Sequence, residues 1–336
     1  MRRAGFVTNL PAYLYSRPAH LRPAQNTQQD KSMEKFEVNI LGCGCAIPTS
    51  RHRPSSQIVN IREKLSMIDC GEGTQMQMRN QRLHFMNLRN IFISHLHGDH
   101  CFGLMGLIST LGMLGRTAKL HVYAPACYEG LFGQQLAFFC QGMDYEVVFH
   151  PVDTTRYQTI YDDRSMSVCT LPLDHRVPCC GFLFREKPTL PHIRRDMIDF
   201  YNIPFCEIGN IKNGADWTLP DGTVIPNSRL TRPAEPARSY AYCSDTAYKP
   251  DLQPYLEGVT LLYHEATFGE DRAKRAEETR HSTARQAALM AKACHAGQLL
   301  IGHYSAHYQD ESILLNEARQ VFPNTLAAME GMTLKL

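Results

Sequence analysis

The stretch "FISHLHGDHCFG", residues 92–103, sets three histidines and an aspartate within the six positions His95 to His100, directly behind the apolar run "NIFIS". Buried imidazoles and carboxylates are costly unless they are paired or ligated. A chain that carries this density at the end of a buried strand must therefore build a rigid scaffold around a polar site. Alternate residues of an extended chain share a face, so His95 and His97 point the same way, while Asp99 and His100 lie on the next turn and aim elsewhere. Two imidazoles for one metal ion and a carboxylate–imidazole pair for a second is the division this spacing suggests. Divalent ions such as Zn²⁺ accept both ligand types.

The rest of the chain supplies strands for such a scaffold. "FEVNILGCG", "SQIVNI" and "LSMIDCG" precede the histidine run, and "KLHVYAP", "YEVVFHP", "MSVCTLPL", "GFLFRE", "SYAYCSD", "VTLLYHEA", "QLLIGHYS" and "LAAMEGMTLKL" follow it, each a short apolar or alternating run bounded by turn residues. "CFGLMGLISTLGMLG" reads as a buried helix. "TARQAALMAKACHAG" opens with Thr283 and Gln286 in capping-box spacing, and "DESILLNEARQVFP" offers Asp310 as N-cap and Pro323 as terminator. Residues 187 to about 236, rich in Pro, Gly and Asn with one short helix candidate, break the rhythm and read as an insertion projecting from the core. Residues 1–34 show neither period and are expected to be a disordered extension, so the fold starts at Lys35.

Composition narrows the class. A chain of 336 residues with 43% hydrophobic content can bury a large core, and a net charge of +2 does not mark a general polyanion binder, so a nucleic-acid partner would need a local basic patch. The twelve cysteines are scattered and form no CxxC pair, which suits reduced thiols better than a disulfide framework. No apolar run approaches the roughly 18 residues of a membrane span; the expectation is a cytoplasmic protein with no membrane contact.

Three more polar residues sit at the exits of apolar strands, where loops gather into sites on a rigid scaffold: His175 after "MSVCTLPL", Asp245 after "SYAYCS" and His303 after "QLLIG". His281 stands just ahead of the capped helix that starts at Thr283, which fixes its backbone while leaving the imidazole free.

The stretches "LGCGCAIPT", "MIDCGEGTQMQM", "SHLHGDHCFGL", "LDHRVPCCGFLF", "YCSDTAY", "YHEATF", "RHSTARQAALMAK" and "GHYSAHYQ", in this order, resemble the ribonuclease Z family of tRNA 3′-end endonucleases, a branch of the metallo-β-lactamase superfamily. The resemblance covers nearly everything from Met33 to Leu336. It implies an α/β (α+β) four-layer αββα fold, residues 35–336 forming the catalytic domain, with an inserted flexible arm, residues 187–230, that grips tRNA. It implies that His95, His97 and His175 hold one Zn²⁺, that Asp99, His100 and His303 hold a second, and that Asp245 bridges them; Mn²⁺ uses the same ligands. It further implies that Asp99 is the base, that His281 protonates the leaving oxygen and that Glu265 of "HEATF" orients it. The substrate would be precursor tRNA, cut after the discriminator base to leave a 3′-hydroxyl, and the assembly a homodimer. Paired metals suit phosphodiester hydrolysis because they activate a water and neutralise the phosphate oxygens. Arg51 and Arg53 of the "PTSRHRPSSQ" loop, Lys212 of the arm and His307 are the candidate substrate contacts. The arm departs from the family at Phe205 and Cys206, His307 stands where an arginine is usual, and Arg53 replaces an asparagine. The competing expectation is a hydrolase of a small phosphodiester, thioester or lactam.

Overall fold

The computed structural model describes residues 35–336; the expected disordered extension lies outside them. In chain order the strands of the core are β1 (Phe36–Gly42), β2 (Ser56–Ile61), β3 (Lys64–Ile68), β4 (Leu88–Phe92), β5 (Leu120–Pro125), β6 (Val147–Val152), β7 (Thr159–Asp162), β8 (Met166–Pro172), β9 (Cys180–Glu186), β10 (Ser239–Cys243), β11 (Leu261–Glu265), β12 (Gln298–Gly302), β13 (Thr325–Ala327) and β14 (Thr333–Lys335). They form two seven-stranded sheets, one ordered β14-β1-β2-β3-β4-β5-β6 and the other β13-β12-β11-β10-β9-β8-β7.

Alternation along each strand decides which residues fill which layer. In the first sheet Val38, Ile40, Val59, Ile61 and Phe92 share a core with the second sheet, while Leu41, Ile58, Ile91 and Ile93 pack with helices on the opposite face. Phe92 crosses the gap, its ring centroid 5.4 Å from Phe182 and 5.5 Å from Phe184; full burial of such a side chain stabilises the fold by about 1.5–3 kcal/mol. The helix Leu104–Met113 covers the first sheet through Leu104, Leu107, Ile108 and Leu111, an i, i+3, i+4, i+7 stripe. The helices Ala284–Ala293 and Ser312–Arg319 cover the second. Helices, sheet, sheet, helices is the expected four-layer order.

Some local expectations shift. The helix foreseen over "CFGLMGLISTLGMLG" forms over Leu104–Met113, behind a separate short helix at Gly98–Cys101, because Gly103 packs backbone to backbone on the turn after β3: its N–H donates to Cys70 O at 2.8 Å, and a Cβ there would lie 2.2 Å from Gly71 O. It is also one-sided, with Phe102 and Met113 each 78% exposed. The capping box at Thr283 and Gln286 is present. Asp310, by contrast, lies one residue before the N-cap Glu311, although its carboxylate still accepts the Ser312 N–H at 2.8 Å. "LAAMEGMTLKL" is not one strand: a turn at Gly331, φ 87°, sends β13 and β14 into different sheets. The helix Glu129–Phe139 was not foreseen, since the glycines of "EGLFGQQLAFF" dilute its period.

Between β9 and β10 the chain leaves the sheets. His192–Ile193 pairs with Thr231–Arg232 at the base and Trp217–Thr218 with Val224–Ile225 further out, and three short helices, Arg195–Phe200, Ile208–Lys212 and Asn227–Leu230, stand where one was expected. Ile203, Ile211, Ile225 and Leu230 make a small core of their own. Among the described residues no helix is long and apolar enough to cross a membrane.

Candidate metal centre

Strand direction gathers the polar residues at one edge of the sandwich. β3 and β4 run parallel, and β10 to β13 are mutually parallel; β8 runs with them because both are antiparallel to β9. The loops leaving their carboxyl ends carry Asp69, His95, His175, Asp245 and His303, and β11 ends on Glu265. Open sheets built of parallel strands place ligand sites at this edge.

The side chains fall into two sets. The ligand atoms of His95, His97, His175 and Asp245 lie within 4.8 Å of one another, as do those of Asp99, His100 and His303. Asp245 serves both: its Oδ2 is 3.6 Å from His95 Nε2 and 3.8 Å from His175 Nε2, and its Oδ1 is 3.3 Å from His100 Nε2 and 3.1 Å from His303 Nε2. Asp99 Oδ2 approaches the second set, 3.4 Å from His100 Nε2. The far ring nitrogens are held from behind. His95 Nδ1 meets Ser94 Oγ at 3.0 Å, His100 Nδ1 meets Asp69 Oδ2 at 2.7 Å, His175 Nδ1 meets Arg280 O at 3.1 Å and His303 Nδ1 meets Thr267 Oγ1 at 2.9 Å. His100 Nε2 and His303 Nε2 are buried without a hydrogen-bond partner, which costs about 1–3 kcal/mol each. Orphaned nitrogens aimed at shared carboxylates, with their opposite nitrogens pinned, fit a divalent ion.

Electrostatics agrees. Burial, reinforced by the neighbouring imidazoles, holds His95 well below its ordinary pKa, and burial likewise lowers His97 and His175, leaving neutral rings with lone pairs to offer. For His100 and His303 burial also pulls downward, but Asp245 and the other acceptors around them prevail and raise both. Asp245 and Asp99 are depressed, the imidazoles beside them outweighing burial. A proton and a metal ion compete for the same Nε2 atoms.

Backbone strain concentrates here as well. Ala46, Asp69, Arg280 and His303 all adopt left-handed φ values of 55–62°, a cost of order 1–3 kcal/mol each that persists only where the surroundings impose it. Asp69 was missed by sequence reasoning. Fully buried, it accepts from Ser94 N, Ser94 Oγ, His100 Nδ1 and Tyr242 Oη at 2.7–2.9 Å. A carboxylate closing the apolar strand "KLSMI" is the same signal that singled out Asp245, and it was available in "MIDCG". Thr267 was missed too; its hydroxyl lies among Glu265, His281 and His303.

His281 and Glu265 meet as anticipated, Nδ1 to Oε1 at 2.7 Å. Glu265 is fully buried and also accepts from Thr246 N, Thr267 N and Thr267 Oγ1; burial would raise its pKa, but His281 beside it brings it down. Above these groups opens a cleft of about 500 Å³ lined by, among others, Cys45, His97, Asp99, Arg176, Asp245 and His281.

None of the four candidate substrate contacts lines that cleft. The Arg51 guanidinium pairs with Glu311 at 2.9 Å and with the carbonyls of Tyr308 and Gln309. Arg53 is exposed and fastened through its backbone N–H to Glu330. His307 is exposed, its Nδ1 3.1 Å from Arg272, and Lys212 lies in the insertion. Arg176, beside His175, is the basic residue at the cleft, and sequence reasoning did not select it.

A family model described as anti-Pycsar protein Apyc1 matches residues 36–182, a span that ends before Asp245, His281 and His303. The ribonuclease Z of Bacteroides thetaiotaomicron is 59% identical over 304 residues, covering 90% of this chain and 96% of its own. Among solved structures, the short form of human tRNase Z is similar with a TM-score of 0.64 at 22% identity, covering 89% of this chain and 98% of that one. The metallo-β-lactamase fold protein YhfI of Bacillus subtilis is similar with a TM-score of 0.64 at 18% identity, covering 90% and 100%.

Proposed function

The chain belongs to the ribonuclease Z family, and from that membership we propose that it is an endoribonuclease that removes 3′ trailers from precursor tRNA, cutting after the discriminator base to leave a 3′-hydroxyl. The observation that carries the chemistry is the division of Asp245, whose two oxygens face two different sets of ligands. His95, His97 and His175 would hold one ion, Asp99, His100 and His303 a second, and Asp245 both. Zn²⁺ suits this donor set, and Mn²⁺ accepts it. Such a pair supplies an acidified water and positive charge for the phosphate oxygens.

The protein's own groups do the rest. Asp99, which lines the cleft, takes the proton of the attacking water. His281, its Nδ1 committed to Glu265, is left with Nε2 to protonate the departing 3′ oxygen of the tRNA. Glu265 fixes the ring's tautomer and orientation, and Thr246 and Thr267 lock Glu265 in turn. Proton transfer from a positioned group of this kind contributes about 10²–10⁴-fold.

Residues 187–230 would act as an arm on the body of the tRNA, with Lys212 against phosphate. Because Lys212, Arg51, Arg53 and His307 all lie off the cleft, substrate grip would fall to surfaces away from the reacting phosphate. This favours a homodimer in which the arm of one subunit serves the site of the other; the exposed Leu131, Phe138 and Phe139 of the helix Glu129–Phe139 offer an apolar face for such contact. We place the enzyme in the cytoplasm. A 3′-extended tRNA transcript tests the reading: cleavage after the discriminator base, lost on deletion of the arm, supports it. Hydrolysis of bis(p-nitrophenyl) phosphate with the tRNA left intact would make the protein a small-substrate phosphodiesterase instead.

A further inference from the structure

The loop between β1 and β2 forms a wall of the cleft through Cys45, Ala46, Pro48 and Pro54. It reaches into the metal centre through a hydrogen bond: the Ala46 N–H donates to Asp99 Oδ2 at 2.7 Å. Ala46 holds a left-handed φ of 56°, which an alanine adopts only under constraint. On either side of it the Cys45 N–H donates to Tyr304 O at 3.0 Å and the Ile47 N–H to Cys45 O at 2.6 Å. His52, 7% exposed, lies behind the loop with Nε2 2.8 Å from Glu311 Oε1 and Nδ1 3.1 Å from Glu330 Oε2. Glu330 Oε1 also takes the Arg53 N–H at 2.7 Å, and Glu311 takes Arg51. Two carboxylates more than 250 positions away in sequence thus grip three consecutive residues of the loop.

We infer that His52 is a positioning residue for catalysis: donating through both ring nitrogens to Glu311 and Glu330, it holds the cleft wall so that the Ala46 N–H fixes the carboxylate of Asp99. A neutral imidazole has one N–H and cannot satisfy both acceptors, so the clamp requires the charged ring. Its hydrogen bond to Glu330 raises the His52 pKa, and the hydrogen bond to Glu311 adds to it against burial. The other titratable or charged groups facing the ring are the Cys43 thiol at 3.4 Å, raised by burial, the Tyr304 ring at 5.3 Å, also raised by burial, and the Arg51 guanidinium on Glu311. Cys43 and Tyr304 stay neutral where His52 titrates. A raised pKa means that the clamp is complete below the ordinary histidine value of 6.5 and is lost as pH rises through the elevated one.

The role rests on the proposed phosphodiesterase chemistry, so the test reads bis(p-nitrophenyl) phosphate, which reports the metal centre whatever the natural substrate, beside the tRNA transcript. If wild-type protein cuts the small substrate but not the tRNA, the tRNA reading fails and the clamp remains testable. In the metal-loaded full chain, Glu330→Gln keeps the shape of the side chain and removes one charge. Its amide offers one acceptor oxygen where the carboxylate offers two, so the ratio of its kcat to that of wild type should be lowest, at about one tenth, at about pH 6 and rise toward one by about pH 8.5, where wild type has itself lost the clamp, with KM nearly unchanged. His52→Ala should lower kcat at every pH on both substrates, and His52→Gln, which retains one donor nitrogen, should recover part of the loss. A kcat ratio for Glu330→Gln that is flat across pH would overturn the inference. So would a further metal ion per chain that disappears in Cys43→Ser, since Cys43, His52 and Glu330 would then be ligands rather than a clamp.

Discussion

The metal centre and the inserted segment are built on opposite principles. At the centre each imidazole is held from behind: His100 by Asp69, His303 by Thr267, His175 by the Arg280 carbonyl and His281 by Glu265. Asp69 follows a strand of the first sheet, and Glu265 ends and Thr267 follows a strand of the second. The segment between β9 and β10 has a core of four buried apolar residues, two-residue strands and helices of four to six residues. A rigid, over-determined site suits chemistry that needs sub-ångström placement, whereas a marginal module gives way locally at small cost.

The sharpest way to break this contrast is Asp245→Ala. Removing the carboxylate that faces both ligand sets should abolish retention of bound metal and reduce cleavage of either substrate to background, read by metal analysis and turnover. Retained metal would mean that the two sets are independent. His281→Ala should lower kcat by at least about a hundredfold while metal content stays normal, and near-normal turnover would remove its role as acid. Asp69→Asn touches no substrate, yet it should weaken metal binding by about 10–100-fold, measured by chelator competition. Metal affinity of the wild-type protein should itself rise with pH. His100 and His303 have raised pKa values in the metal-free site, so at low pH the ion must displace protons that leave freely once pH exceeds those values. The smallest effect on chemistry belongs to the inserted segment: Leu230→Ala should cost about 2–5 kcal/mol locally and open residues 187–238 to protease. It should impair tRNA cleavage and leave bis(p-nitrophenyl) phosphate hydrolysis unchanged; a loss on both substrates would tie the segment to the centre.

Much of the centre was legible in the chain. His95 to His100 announce themselves by density, and His175, Asp245 and His303 by a polar residue at the exit of an apolar run. Asp69 obeys the same rule, but its role depends on the fold bringing His100 Nδ1 within 2.7 Å of its carboxylate. The substrate contacts were the weakest part. Arg51 and Arg53 look free in a basic loop, but Arg51 is paired to Glu311 and the Arg53 N–H is taken by Glu330, partners some 260 to 280 residues away that no local pattern reveals. Arg176 stands at the cleft with no motif of its own to mark it.

The sequence by itself determined the chemical inventory, the strand faces and the family, because ligand types, period-2 alternation and capping are properties of neighbouring residues. The tertiary structure alone decided that one carboxylate, Asp245, faces two ligand sets, that Asp69 and Thr267 hold the rings from behind, and that His52 braces the cleft wall against Glu311 and Glu330. Those outcomes depend on which strand ends meet across the two sheets, and strand pairing over long separations is set by the packing of the whole core rather than by any segment of it.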